Sequence, residues 1–287
     1  MKQFIKNQIW LASRYGSRIL RNALNGWEKR NSLPVIFSNS FPKSGTNLMR
    51  QVFSAWKHLG GYIDWSREVI PTFENETGRQ RPDSEILLDL QRMQPGEVWS
   101  GHLFHTKALA ERLLRADIVN YFIYRDPRDV VVSHAFYVTN MAAEHVHHDY
   151  YRNVLATDED RIRTSILGLP EIDVDFPDIT ERYRPYLGWV RCEDVLSVKF
   201  EDLIENRDHT LRTILQHYLN SAGNLGHTEE KWLERIDTSI RPSKSPTYRE
   251  GKTGGWRNHF TEEHKTLFKE KAGALLVELG YETDQDW

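Results

Sequence analysis

Val35-Ile36-Phe37-Ser38-Asn39-Ser40-Phe41-Pro42-Lys43-Ser44-Gly45-Thr46-Asn47 is the stretch whose reading decides the fold. Val35-Ile36-Phe37 is a short apolar run, and a polar turn follows it. Leu48, Met49, Val52, Phe53, Trp56 and Leu59 then recur at helical spacing until Gly60-Gly61 stops them. The pattern predicts a strand, a turn and a helix that begins at once. The first amides of such a helix lack internal partners and point at whatever sits in the turn. Gly45 permits close backbone approach, Ser44, Thr46 and Asn47 add donors, and Lys43 adds a mobile positive charge. These are the parts of an anion cradle. The order differs from the nucleoside-triphosphate loop, because Lys43 precedes Gly45 and no glycine stands five positions before it.

Working outward, further strands are predicted at Val98 to Leu103, Ile118 to Tyr124 and Val195 to Phe200, and helices at Lys107 to Arg115, from Val130 onward and at Leu203 to Leu219. Residues 62–97 read as loops and one helix, and 140–182 as irregular and acidic. The last helix starts behind Thr261, a good N-cap with Glu262 and Glu263 in its first turn, and Gly280 closes it. Strands alternating with helices imply an α/β fold: a single domain with a mainly parallel central sheet flanked by helices on both faces. The 287 residues, 39% hydrophobic and with nine Trp, can fill one large core. With 28% charged residues, the composition excludes a polytopic membrane protein and a mostly disordered chain. A net charge of −3 gives no bulk argument for nucleic acid. The single Cys192 rules out an intrachain disulfide and suits a reducing, cytoplasmic setting.

The order Phe41-Pro42-Lys43-Ser44-Gly45-Thr46-Asn47 resembles the 5′-phosphosulfate loop of the cytosolic-type sulfotransferases, which use 3′-phosphoadenosine 5′-phosphosulfate (PAPS) as donor and release PAP. Tyr121-Phe122-Ile123-Tyr124-Arg125-Asp126-Pro127-Arg128-Asp129-Val130-Val131-Val132-Ser133 is similar to that family's 3′-phosphate strand, loop and helix, and Tyr248 to Thr261 to its C-terminal Arg-x-Gly-x-x-Gly-x-Trp segment. The three occur in the expected order across residues 36–261. The resemblance implies a P-loop-like fold and a set of roles. Lys43 neutralises the leaving phosphate. Ser44, Gly45, Thr46 and Asn47 hold the 5′-phosphate. Arg125, Ser133, Arg249 and the backbone at Gly251 take the 3′-phosphate, where guanidinium forks and a hydroxyl suit the oxyanion. His102 serves as general base, with His105 as rival. Phe200, at the end of a strand similar to the family's Tyr-Glu-Asp segment, contacts adenine, with Leu48 packing rather than stacking and with Tyr248 nearby. Glu250, where the family often has Lys, weakens the 3′-phosphate field, and Lys252 compensates.

Residues 1–33 hold seven basic residues and one acid, with apolar positions in a rough helical stripe. They form a basic amphipathic N-terminal helix that either packs on the domain or meets a membrane surface or partner. Residues 34–287 are then the catalytic domain, with 140–182 a variable lid over the acceptor. Residues 140–178 carry nine acids against three Arg, which implies a neutral or cationic small-molecule acceptor. No metal is expected. His145-Val146-His147-His148-Asp149 resembles a ligand cluster, but adjacent histidines cannot all point one way. Sulfuryl transfer to a hydroxyl or amine is the leading expectation. A P-loop kinase-like phosphotransferase and a non-catalytic nucleotide-binding scaffold are the alternatives, and the oligomeric state is open.

Overall fold

The computed structural model describes residues 12, 15–16, 18–20, 32–169, 176–223, 226–241 and 253–287. In chain order these form β1 (Val35–Ser40), α1 (Thr46–His58), β2 (Ile63–Pro71), α2 (Asp83–Gln91), β3 (Glu97–His102), α3 (Lys107–Leu113), β4 (Ile118–Tyr124) and α4 (Pro127–Asn140). There follow α5 (Asp158–Leu167), α6 (Ile179–Tyr183), α7 (Leu187–Val190), β5 (Val195–Lys199), α8 (Phe200–Glu205), α9 (Arg207–Ala222), α10 (Glu229–Ser239) and α11 (Glu262–Glu278). The five strands make one sheet in the order β2-β3-β1-β4-β5, and every pairing is parallel. The expected α/β architecture is present.

Alternation along the strands builds the two cores. Ile36, Val119, Tyr121 and Ile123 face one buried cluster, while Phe37, Trp99 and Phe122 face the other. Both faces are covered, so the strands read as nearly continuous apolar runs. Each large side chain so buried contributes about 1.5–3 kcal/mol. The chain runs from β1 to β2 and β3 on one side, then to β4 on the other side of β1. That reversal opens a crevice at the C-terminal ends of the central strands, where parallel sheets bind ligands.

Four elements depart from the sequence reading. β2 was expected as loop. It is an edge strand whose register with β3 shifts between Asp64 and Val69, so its alternation breaks. Asp64 stabilises the kink by accepting from the amide of Ser66 at 2.9 Å. The helix expected over Leu203 to Leu219 is two helices meeting at Asn206. The described part of the 140–182 segment holds regular elements, a π-helical turn at Tyr150–Val154 and the helices α5 and α6. Thr157 starts α5 with a capping box through Asp160, a signal that the acidic composition of the segment obscured. Glu229–Ser239 is helical as well, behind the N-cap Thr228.

Of the basic N-terminal stretch, residues 12, 15–16 and 18–20 are helical. Arg18 is buried and forms a forked pair with Glu97 at the start of β3, at 2.6 and 2.7 Å, with its guanidinium 4.5 Å from the Trp65 ring. Ile19 and Leu20 beside it are exposed. Among the described residues no helix is long and apolar enough to cross a membrane.

Candidate active site

The turn after β1 is held in a conformation that few residues adopt. Lys43 has φ 69° and Gly45, the N-cap of α1, has φ 106°. A Cβ on Gly45 would lie 2.8 Å from the Phe200 ring and 3.0 Å from Ile123, so only glycine fits. No side chain caps α1, which leaves its first amides to the turn. Ser44 is fully buried. Thr46 Oγ1 lies 2.9 Å from Ser40 Oγ, and Asn47 Oδ1 accepts from Arg50 at 2.7 Å.

His102 ends β3 beside this turn. Its Nδ1 lies 3.0 Å from the Ser40 carbonyl, which can only accept. The proton therefore sits on Nδ1, and Nε2 keeps its lone pair. Ser40 Oγ is also 3.0 Å from Nδ1, so one serine braces both the imidazole and Thr46. Burial, against an opposing push from the Ser40 carbonyl and with help from the charge of Lys43, lowers the His102 pKa to about 4. The imidazole is neutral at ordinary pH. Lys43 has its ammonium 3.4 Å from the centre of the Tyr137 ring. Burial first, and the charge of Arg125 second, lower its pKa to about 7. A lysine so placed gains from any anion that arrives beside it.

Arg125 follows β4. Its guanidinium stacks over Phe200 at 4.3 Å and donates to Asp129 at 3.3 Å. The buried Asp129 carboxylate also accepts from the amides of Gly254 at 3.0 Å and Trp256 at 2.8 Å. One acid thus ties the β4 loop to residues 254–256, some 125 positions later. Glu201 does similar work from the first turn of α8, accepting from the Asp126 amide at 3.1 Å and the Tyr281 hydroxyl at 2.8 Å. Tyr248, Arg249, Glu250, Gly251 and Lys252 lie outside the described residues.

A cavity of about 670 Å³ unites these groups: Lys43, Gly45, Thr46, Asn47, Leu48, His102, Arg125, Ser133 and Phe200 all line it. Ser44 lies just behind the wall, and His105 is not in the lining and packs edge-on to Trp189. Residues 34–280 match the sequence profile described as the Sulfotransferase domain. The chain belongs to the sulfotransferase-domain family. No curated protein sequence matches it. Among solved structures the sulfotransferase domain is similar to mouse sulfotransferase SULT7A1 complexed with PAP, at 18% identity and TM-score 0.57, covering 88% of this chain and 92% of that one. It is also similar to retinol dehydratase in complex with androsterone and the inactive cofactor PAP, at 17% identity and TM-score 0.56, covering 90% of this chain and 84% of that one. A second retinol dehydratase structure, in a complex with retinol and PAP, gives 18% identity and TM-score 0.53 over 88% and 85%. At these identities the likeness is one of fold.

Beyond the turn the wall of the sulfotransferase cavity is rich in aromatic rings: Phe73, Phe104, Tyr137, Phe176 and Tyr186 line it, with Tyr137 reaching back to Lys43. None of the described acids of 140–178 lines the cavity, whereas Glu74 and Glu181 do. Arg182, buried and lowered by that burial to about 10, does reach it. His134, His145 and His147 also line it. Sequence reasoning missed Ser40, Tyr137, His134 and Arg182. Val130, Ser133, His134 and Tyr137 occupy one face of α4 at spacings of three and four, and extending that face beyond Ser133 would have found two of them.

Proposed function

We propose that this chain transfers a sulfuryl group from PAPS to a hydroxyl or amine of a small acceptor, with Lys43 and His102 as the catalytic pair. The observation that carries the reading is that a lysine with no acid partner among the described residues and an imidazole with a fixed tautomer line one cavity beside an uncapped helix N-terminus. Ser44, Gly45, Thr46 and Asn47 receive the 5′-phosphate, and Arg125 and Ser133 receive the 3′-phosphate with Arg249 and Gly251. Phe200, already a platform for Arg125, packs against adenine with Leu48, Tyr248 and Glu250. The acceptor oxygen attacks sulfur in line, and its proton passes to Nε2 of His102. The S–O bond to phosphate breaks, and the departing oxygen keeps the electron pair and is met by the Lys43 ammonium. Positioning and charge stabilisation supply the rate. The aromatic far end suits an acceptor with an apolar body, and the neighbours that hold androsterone and retinol support a small-molecule substrate. No metal is needed for this step. The basic segment 1–33 is a contact element that meets the catalytic domain 34–287 through the Arg18–Glu97 pair.

The test is a labelled-donor screen over alcohols, phenols and amines with wild type and His102→Ala. Transfer that falls by about 10²–10⁴ in the variant supports the reading. Calorimetry in which ATP with Mg²⁺ binds and PAP does not would establish a kinase-like site instead. PAP binding with no transfer to any acceptor would make the chain a scaffold.

A further inference from the structure

The histidine run beside the cavity does something that adjacency alone does not predict. His145 and His147, two apart, face the same way, and His134 on α4 meets them. One ring nitrogen from each lies within 4.8 Å of the other two. We infer that His134, His145 and His147 form a three-histidine site for a divalent transition metal of the zinc class at the acceptor end of the cavity.

The surroundings are those of a held ligand set. His148 is excluded from the trio: its Nδ1 donates to the Val138 carbonyl at 2.7 Å and pins the turn to α4. The amide of Val146 donates to the Asn75 carbonyl at 3.1 Å and fixes the turn from the other side. His134 has Nδ1 engaged at 3.0 Å by Ser165 Oγ, which is itself 2.9 Å from the Tyr151 hydroxyl. That leaves Nε2 of His134 for the trio, braced from behind as metal-bound imidazoles are. His147 is only 4% exposed, and neither of its ring nitrogens has a hydrogen-bond partner among the described residues. A buried polar group left so is costly and calls for a water or an ion.

Three imidazoles with no thiolate suit Zn²⁺, Co²⁺ or Ni²⁺ rather than Ca²⁺ or Mg²⁺. The positive Arg182 and Lys43 nearby oppose any cation, so only an ion held by strong imidazole bonds would stay. Bonds of about 2.0–2.1 Å require the three nitrogens to close somewhat. His145 must also release the bond that its Nδ1 accepts from the His147 amide at 3.1 Å. All three residues line the cavity wall, so an ion held there would face its interior. The site is independent of the sulfuryl-transfer reading.

The experiment is a Co²⁺ titration of the metal-free full chain, followed by visible ligand-field absorption and then by displacement with Zn²⁺. One Co²⁺ per chain with an intense, low-symmetry band is expected. His147→Ala should weaken binding more than about 100-fold and Ser165→Ala about tenfold, while exposed His209→Ala changes nothing. His145→Ala, at a less buried position, repeats the test should His147→Ala fail to fold. A spectrum no different from aqueous Co²⁺, or a band that survives both histidine variants, overturns the site.

Discussion

The two ends of the cavity are built differently. The donor end comes from short turns that leave the C-terminal ends of β1, β4 and β5, and each turn is contiguous in sequence. The acceptor end gathers residues from the edge strand β2, one face of α4, the turn at 145–147 and the region of α6. Backbone geometry sets the first: a left-handed Lys43 and Gly45, an uncapped helix, a carboxylate pulling amides together. Side chains set the second: rings, three imidazoles and a buried guanidinium. An anion of fixed shape can be gripped by backbone, whereas an acceptor that varies must be met by side chains that can be exchanged.

The largest expected effect strikes the donor end. Lys43→Met should lower kcat by about 10²–10⁴ and leave the acceptor KM nearly unchanged. Melting should occur at the same or a higher temperature, because a buried charge is removed. A lowered Tm with retained turnover would break the contrast between the ends. The next effect is Gly45→Ala. Its Cβ would meet Phe200 at 2.8 Å in a backbone with φ 106°, so a loss of about 1–3 kcal/mol in stability is expected together with weaker PAP binding. Urea unfolding and calorimetry read the two.

The pH dependence is smaller and has a definite sign. Lys43 titrates at about 7 in the fold against a reference of 10.5. Between those values the unfolded chain binds more protons, so this lysine makes stability rise with pH there, and its penalty is complete below about 7. PAP favours the ammonium. Its affinity should therefore fall as pH rises above about 7, with proton uptake on binding, measured by calorimetry in buffers of different ionisation heat. Uptake absent at pH 8 in wild type, or present in Lys43→Met, would count against the assignment. The smallest effect sharpens the boundary between the ends. Tyr137→Leu removes the ring under Lys43, worth about 0.5–2 kcal/mol, and should shift acceptor KM and Lys43 reactivity toward acylating reagents while PAP affinity changes only a few-fold.

What the sequence disclosed follows the same division. Val35 to Asn47 and Ile118 to Ser133 each carry strand, turn and helix in one unbroken stretch, so local periodicity exposed both the sheet and the donor loops. Thr261 likewise marked the start of α11, where it accepts from the His264 amide. β2 stayed hidden because an irregular edge register erases the period of two. The acceptor wall stayed hidden because His134 and His147 meet only through tertiary packing, and because net charge along 140–178 says nothing about which way each carboxylate faces. Ser40 looked like a mere strand end, and its bracing of His102 depends on a neighbour 62 positions away.

The pairing of Arg18 with Glu97 reaches beyond the cavity. Glu97 is wholly buried, and it also accepts from the Gln94 amide at 3.1 Å and from Trp99 Nε1 at 2.9 Å. A protein shortened to begin at Pro34 would keep those two donors and forfeit the guanidinium. Breaking a buried pair of this kind costs on the order of 3–5 kcal/mol. Arg18 is therefore a plug as much as an appendage, and trimming the chain to its recognisable catalytic portion would unsettle the strand whose far end carries the imidazole.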